Sequence, residues 1–194
     1  MRTVLLGIVG LIVLAAVWVF SNINTIPTQD EAANAAWSQV LNQYQRRADL
    51  VPNLVATVKG YAAHEEKVLT EVTNARARVG QIAAPDPKDP DAVAQFEAAQ
   101  RELGGSLSRL LVVAEQYPDL KANQNFLTLQ SQLEGTENRI SVARRDYIGA
   151  VQTYNTTLRT FPGRLIAMIF YPDSKPRANF AADEGAEKAP KVEF

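Results

Sequence analysis

The stretch "NQNFLTLQSQLEGTENRISVARRDYIGAVQTY", residues 123–154, decides the fold. Mainly apolar side chains recur in it every three or four positions without interruption, which places them on one face of an α-helix. Such a face must be covered by neighbouring elements, so the stretch predicts a helical bundle. The face comprises Phe126, Leu129, Leu133, Thr136, Ile140, Ala143, Tyr147, Ala150 and Tyr154.

The rest of the domain has the same spacing. A first helix is predicted from Thr28 to Ile82 and opens with a capping box of Thr28 and Glu31. A second helix is predicted after Asp89, because Pro90 suits the first helical position. No segment after residue 28 alternates as a strand would. We therefore predict an all-α fold, an antiparallel bundle of three long helices plus one short helix, behind a single N-terminal transmembrane helix.

The evidence for the transmembrane helix is residues 3–26, which carry no charge. A membrane-spanning helix needs roughly 20 mainly apolar residues. A cleaved signal peptide is the alternative, but bulky residues from Val17 to Phe20 stand where its cleavage site should be. Arg2 precedes the span and the first basic residue after it is Arg46, so the positive-inside rule predicts a C-terminal domain outside the cytoplasm.

A mismatch in length distinguishes residues 28–52, called the stalk below. A continuous first helix would span roughly 80 Å, whereas the second helix folds back only to about residue 54. The stalk is therefore predicted to lack an intrachain partner, and its apolar stripe indicates an interface. The alternative is that the chain turns back at Pro52 and covers the stripe itself. We expect a cyclic homo-oligomer held through Trp37, Val40, Leu41, Tyr44 and Arg47.

Pro52 interrupts the first helix and removes one backbone hydrogen bond, so we expect a kink there. Arg46, Arg47 and Asp49 come just before it. We interpret them as a local ion-pair cluster that supports the kinked turn. A contact surface for a neighbouring subunit is the alternative.

Two polar residues, Glu65 and Thr136, fall on the apolar stripes, and Arg139 is close to the second of them. Because buried polar groups need partners, we predict one hydrogen-bonded layer that fixes the register of the helices. A carboxylate metal site like that of di-iron bundles is the alternative, but the Glu-x-x-His pairs of those proteins are missing.

Composition argues against several chemistries. The 20 Lys and Arg against 21 Asp and Glu give a net charge of −1, which argues against nucleic acid as a partner. The chain has no cysteine and one histidine, His64. A zinc-protease HExxH motif would need a second histidine at Val68. We predict no catalytic residues, no enzyme activity, no cofactor and no metal.

The C-terminal part predicts a short helix and a tail. The helix "GRLIAMIFY", residues 163–171, is expected to pack on the membrane-distal end of the bundle or to recruit a partner. Each bulky apolar side chain is worth roughly 1.5–3 kcal/mol when fully buried. Residues 172–194 are rich in Pro, Ala and charge and predict a flexible tail, so the bundle domain spans residues 28–171 and the anchor residues 1–27. The short helix would use Leu165, Ile166, Ile169 and Phe170.

Three blocks of the chain resemble the LemA family. They are "RRADLVPNLVATVKGYAAHE" (46–65), "YPDLKANQNFLTLQSQLEGTENRISVARRDY" (117–147) and "YNTTLRTFPGRLIAMIF" (154–170). The resemblance runs from about Trp37 to the C-terminus. It implies a bacterial membrane protein with one N-terminal span, a helical bundle and no established enzymatic activity, and it suggests partners among membrane proteases and envelope-stress factors.

Together these patterns predict a single-pass protein of the bacterial inner (cytoplasmic) membrane with a periplasmic domain. We expect a non-enzymatic scaffold that self-associates through the stalk and recruits partners in the cell envelope. The partners expected are membrane lipid, further copies of the chain and an unidentified envelope protein, but no nucleic acid. The alternative is a sensor or substrate adaptor that acts with a membrane protease in envelope stress.

Overall fold

The computed structural model describes residues 1–82 and 84–180, and all regular secondary structure in these ranges is helical. The predicted all-α fold, with an apolar N-terminal helix followed by packed helices, is confirmed. The helices are α1 (Arg2–Asn22), α2 (Thr25–Lys59), α3 (Glu66–Gln81), α4 (Pro90–Ala114), α5 (Pro118–Lys121), α6 (Gln124–Arg159) and α7 (Gly163–Phe170).

Helix α1 has the dimensions of a membrane anchor. Its 21 residues span about 30 Å, which matches the hydrocarbon core of a bilayer. None of its residues is buried against the described part of the chain. It is the helix that is long and apolar enough to cross a membrane within the described ranges.

Side-chain caps set the starts of α4 and α6. Asp89 accepts two backbone N–H groups of the first turn of α4, at 3.0 and 3.2 Å, and Asn123 does the same for α6, at 2.9 and 3.1 Å. The capping box predicted at Thr28 is wrong. Helix α2 already begins at Thr25, and the N–H of Thr28 is bonded to the carbonyl of Asn24.

The helix predicted from residue 28 to residue 82 is two helices, α2 and α3, separated by residues 60–65. The turn is closed by hydrogen bonds from the N–H groups of Tyr61 and Ala62 to the carbonyl of Val58, at 3.0 and 2.8 Å. Ala62 is buried, so the turn is fastened to the core. Pro52 does not end α2, which runs through it to Lys59.

This turn reverses the chain once more than the sequence analysis assumed. Helix α3 packs against α4, and the two are antiparallel because Arg78 pairs with Glu102 while Glu71 pairs with Arg109. The consequence is that α4 and α6 point in the opposite directions from those in a bundle whose first helix is unbroken.

The described residues form two compact units. Both α2 and α6 are divided between them, with one half of each helix in unit 1 and the other half in unit 2. Unit 1 comprises Met1–Gln43 and Ile140–Arg177, and unit 2 comprises Tyr44–Arg139 together with residues 178–180. The core of unit 2 is mainly aliphatic and is drawn from α2, α3, α4 and α6. It includes Val51, Leu54, Val58, Val72, Leu103, Leu107, Leu110 and Leu133.

The core of unit 1 is smaller and combines aromatic with aliphatic side chains. The rings of Trp37 and Tyr147 lie 5.0 Å apart between centroids, and Ile26, Tyr154 and Ile166 form a second cluster. These two contacts make α6 antiparallel to α2, so α6 ends beside the start of α2. In the predicted bundle, with a first helix unbroken from residue 28 to residue 82, the third long helix would lead away from the membrane. This direction is wrong because of the turn at residues 60–65.

The expectation of a flexible tail from residue 172 is wrong for its first part. Residues 172–180 form no helix, yet Arg177 and Phe180 are buried. The N–H of Ala178 also donates to the carbonyl of Pro87 at 2.8 Å. The remainder of that prediction, residues 181–194, lies outside the described residues.

Candidate functional site

The stalk stripe is covered by the chain itself. Trp37 is 5 % exposed, Val40 0 % and Tyr44 4 %, and Leu41 is half-buried. Tyr44 packs edge-on against Phe96 of α4, with 5.3 Å between ring centroids. The prediction that the stalk lacks an intrachain partner is therefore wrong. The covering helices are α6 in unit 1 and α4 in unit 2, and not the chain folding back at Pro52.

Arg47 is a buried connector of three helices in unit 2. Its Nη1 donates to Glu137 Oε1 on α6 at 3.0 Å. Its Nη2 donates to the carbonyl and to the side-chain Oε1 of Gln100 on α4, at 2.8 and 2.6 Å. The side chain of Arg47 is 5 % exposed, against 45 % for Glu137. The guanidinium also lies 5.0 Å from the ring centre of Tyr44, so this side chain is occupied inside one chain.

Arg177 plays the corresponding part in unit 1. Its Nη2 donates to Asp30 Oδ1 at 2.8 Å and to Asn34 Oδ1 at 2.7 Å, both on α2. Its backbone is held by Asn155 of α6, which accepts from the N–H and donates to the carbonyl, at 2.9 Å each. Burial, followed by the nearby Asp30 carboxylate, raises the pKa of Tyr154. The segment after α7 is thus fixed to the beginning of α2 by a buried ion pair.

The residues around Pro52 stay helical, and a side chain from α3 replaces the backbone hydrogen bond that the proline removes. They do not form an ion-pair cluster. Proline has no N–H, so the carbonyl of Ala48, four residues earlier, loses its helical donor. The Nε of Arg76 on α3 donates to that carbonyl at 3.1 Å. Arg46 and Asp49 are exposed, and Asp49 accepts from Gln45 at 2.8 Å. The predicted grouping of Arg46, Arg47 and Asp49 into one cluster is wrong, because Arg47 points into the core.

The predicted polar layer is divided. Glu65 accepts a hydrogen bond from the hydroxyl of Tyr117 at 3.0 Å, and this bond raises the pKa of that tyrosine. Thr136 is fully buried; its hydroxyl donates to the carbonyl of Gln132 at 2.7 Å and accepts from Arg139 at 3.1 Å. Thr136 and Arg139 are thus in contact, while Glu65 has a different partner.

The short helix α7 has two unlike faces. Ile166 is buried against Ile26 and Tyr154, whereas Leu165, Ile169 and Phe170 are 43 %, 60 % and 44 % exposed. Since Ile26 opens α2, the helix packs beside the membrane anchor and not at the membrane-distal end. That prediction is wrong for the same reason as the direction of α6.

One groove opens between the end of α2 and α3 in unit 2. Its volume is about 360 Å³, and it is lined by Val55, Lys59, Ala63, Glu66, Leu69, Thr70, Thr73 and Asn74. The lining mixes apolar and polar side chains and holds no histidine. Across residues 1–82 and 84–180, no three His, Cys, Asp or Glu side chains group as metal ligands, and His64 is exposed.

Comparison with known proteins agrees with this architecture. Residues 36–194 match the LemA family. The chain belongs to the LemA family. That membership fits a membrane-associated protein, and the family and the relatives described below are not known as enzymes.

Curated relatives fall in two groups. Magnetosome protein MamQ 2 of Paramagnetospirillum magneticum is 26 % identical over 164 residues, 75 % of this chain and 60 % of that protein. Magnetosome protein MamQ of Magnetospirillum gryphiswaldense is 25 % identical over the same length. Protein LemA of Metamycoplasma hominis is 25 % identical over 133 residues, 69 % of this chain and 57 % of that protein. The chain therefore aligns with only about 60 % of the length of these relatives.

Three connectors escaped the sequence analysis: Gln100, Arg76 and Arg177. Gln100 interrupts an apolar face of α4 as a buried amide, and this is a signal that helical periodicity could have given. Arg76 could have been sought as a donor for the carbonyl that Pro52 leaves unpaired. Arg177 stands in a Pro-rich segment without periodicity, so no local pattern marks it.

Proposed function

We propose that this protein is a membrane-anchored, non-catalytic scaffold of the bacterial cell envelope. Helix α1 holds it in the membrane, and the helices outside the membrane offer a binding surface to envelope proteins. Membership of the LemA family supports the membrane association. Self-association through the stalk stripe is not part of this proposal, because the stripe is used inside the chain.

One observation supports the non-catalytic role above all. An active site needs polar groups that converge on an open cleft. Among the described residues, each buried polar side chain instead has an intrachain partner. These side chains are Arg47, Glu97, Gln100, Ser106, Thr136 and Arg177. Arg47 and Arg177 thereby join separate parts of the fold, while Ser106 and Thr136 bond within their own helices.

The groove between α2 and α3 is the surface that we assign to a protein partner. Its apolar floor, with Val55 and Leu69, would receive an apolar side chain. Lys59 and Glu66 bring opposite charges to its lining. Such an arrangement of an apolar centre and a polar rim is usual in protein interfaces. A substrate adaptor for a membrane protease would use the same surface and stays an alternative.

Site-specific photocrosslinking in intact membranes tests this assignment. A photoreactive amino acid at Thr70 or Thr73, in the groove, should give discrete adducts with one protein. Matched positions are Ser108 on α4 and Thr128 on α6, which are exposed and lie outside the groove lining. Equal adducts at all four positions, or none in the groove, would refute the assignment.

We further propose that α1 lies in the inner membrane with the helical units on the periplasmic side. The support is the charge of the flanks: Arg2 is the first residue of α1, and the next basic residue in the chain is Arg46. Alkaline phosphatase fused after Phe194 should be active in cells. A fluorescent cytoplasmic reporter at the same position, with an inactive phosphatase fusion, would place the units in the cytoplasm instead. The scaffold proposal does not depend on this outcome.

A further inference from the structure

Helix α7 and the residue before its N-cap form an exposed apolar face, called the α7 face below. The members of this face are between 43 % and 74 % exposed. Contiguous apolar surface of this kind usually marks an interaction site or a membrane contact. The α7 face consists of Phe161, Leu165, Met168 and Ile169; Phe170, one turn after the buried Ile166, is exposed at the end of the helix.

The position of the α7 face identifies its partner. The ring of Phe161 stacks on Trp18 of α1, with 5.6 Å between centroids and 22° between planes. Trp18 lies four residues before the end of α1, which is about 6 Å along the helix axis. Aromatic side chains near the end of a membrane span lie at the level of the lipid headgroups. Phe161 is therefore level with the outer part of the bilayer.

The start of α7 is held closely against the end of α6. Gly163 is buried, and a Cβ atom at this position would collide with the carbonyl oxygen and the methyl group of Thr157. On its inner side Ile166 packs on Ile26, four residues beyond the end of α1. Helix α7 is thus placed by packing within unit 1, with its apolar face turned away from the protein.

Two arginines flank the α7 face. Arg159 ends α6 and Arg164 lies in the first turn of α7, and both are exposed. Neither guanidinium has an ion-pair partner in the part of the chain that the structure describes. Arginine is well suited to phosphate groups because its planar fork can donate two parallel hydrogen bonds.

We infer that α7 is a second membrane contact of this protein. Its exposed face enters the bilayer interface beside α1, and Arg159 and Arg164 bind the phosphate groups of anionic phospholipids. An interfacial helix buries its apolar face about 5–10 Å into the boundary between headgroups and acyl chains. The contact would hold unit 1 in a fixed orientation on the membrane, which a single spanning helix cannot do.

The absence of native cysteine allows a direct test on the full-length protein in vesicles. Single cysteines at Leu165, Ile169 or Met168 are labelled with an environment-sensitive fluorophore. Leu11, in the middle of α1 and 71 % exposed, serves as the control inside the membrane. Val142 of α6, which is 46 % exposed, serves as the control in water, because it lies about 25 Å along α6 from Arg159. Circular dichroism of each variant verifies that the helices are intact.

The inference predicts that labels on the α7 face are quenched by spin-labelled lipid and are protected from quenching by iodide, as the Leu11 label is. The Val142 label should show the reverse. In vesicles of phosphatidylcholine with added phosphatidylglycerol, lipid quenching on α7 should increase with the anionic fraction. The double variant Arg159→Gln, Arg164→Gln should lose this dependence, while lipid quenching of the Leu11 label should be the same in both backgrounds.

Two outcomes would overturn the inference. Iodide quenching on α7 equal to that at Val142 would show that the face lies in water. Protection from both quenchers, relieved by dilution of the protein in lipid, would show that a second copy of the chain covers it. The role of the two arginines would be refuted if lipid quenching on α7 did not depend on anionic lipid, either with the native arginines or in the double variant.

Discussion

Units 1 and 2 are each held by one buried arginine, but the chain builds them in different ways. The helices of unit 2 come from one continuous segment, Tyr44–Arg139, and surround an aliphatic core. Unit 1 combines the beginning and the end of the chain around aromatic contacts, and its ion pair joins residues 147 positions apart. The difference teaches that helical periodicity finds the faces of both units, but finds partners only where they are near in sequence.

The largest expected effect concerns the aromatic pair in the core of unit 1. Trp37→Ala should lower the free energy of unfolding by about 3–5 kcal/mol, because it removes the contact with Tyr147. The matched change in unit 2, Leu110→Ala, should cost about 2–5 kcal/mol. Chemical denaturation of the full-length protein in mild detergent, followed by circular dichroism, measures both. If Trp37→Ala lowered only the oligomeric state and left stability unchanged, the stalk would be an intersubunit surface after all.

The second effect compares the two arginine pairs. Glu137→Ala leaves the buried Arg47 without its carboxylate, which should cost about 1–3 kcal/mol. Arg47→Met should cost a similar amount, because water can solvate the 45 % exposed Glu137 but the buried side-chain oxygen of Gln100 loses its donor. In unit 1, Arg177→Met should also be destabilising, since it removes the donor of Asp30, which is only 28 % exposed, and of Asn34. A neutral or stabilising Arg47→Met would contradict this account.

A third effect distinguishes two glycines of unit 1. Gly163→Ala should destabilise the protein by about 1–3 kcal/mol, because the added methyl group meets Thr157 and α7 must shift. Gly149 lies in the middle of α6, and a Cβ there would touch nothing within 4 Å. Gly149→Ala should therefore stabilise the helix by about 0.5–1 kcal/mol. Thermal unfolding of the two variants decides the point, and a stabilising Gly163→Ala would show that α7 is not closely packed.

The smallest effect concerns Pro52, which lies in the half of α2 that belongs to unit 2. Arg76→Met should cost about 1 kcal/mol, because the carbonyl of Ala48 then lacks a donor. Pro52→Ala restores the backbone N–H that this carbonyl would normally accept. In a double-mutant cycle, Arg76→Met should therefore be nearly neutral in the Pro52→Ala background. An equal cost in both backgrounds would contradict the repair.

Much of the helical fold could be predicted from residue patterns. The apolar span of α1, the caps at Asp89 and Asn123 and the long stripe of α6 each carry a local signal that packing does not override. The turn at residues 60–65 could not be predicted in the same way. Its flanks, Val58 and Val68, continue a plausible stripe, so the reversal is evident only from tertiary contacts such as the hydrogen bond from Arg76 to the carbonyl of Ala48.

That single missed turn explains the errors in the candidate site. With one reversal fewer, α6 and α7 would lie far from the membrane, and Trp37 would have no cover. Arg47 was recognised as notable, but its partners Gln100 and Glu137 lie 53 and 90 residues away. A spacing of that size leaves no trace in a local pattern. The partners of these polar side chains can therefore be identified only once the order and direction of the helices are known.

Because Asp30 pairs with Arg177, unit 1 cannot finish folding until nearly the whole chain has been synthesised. Ribosomes add about 5–20 residues per second, and domains tend to fold in the order in which they emerge. Once Arg139 has been made, unit 2 has all its helices, whereas unit 1 still waits for roughly 40 further residues, or about 2–8 s. Early in that interval Trp37 is uncovered, because Tyr147 has not yet been added. A nascent chain therefore exposes the apolar face of the first half of α2 to chaperones until the second half of α6 covers it, and Arg177 then adds the ion pair with Asp30.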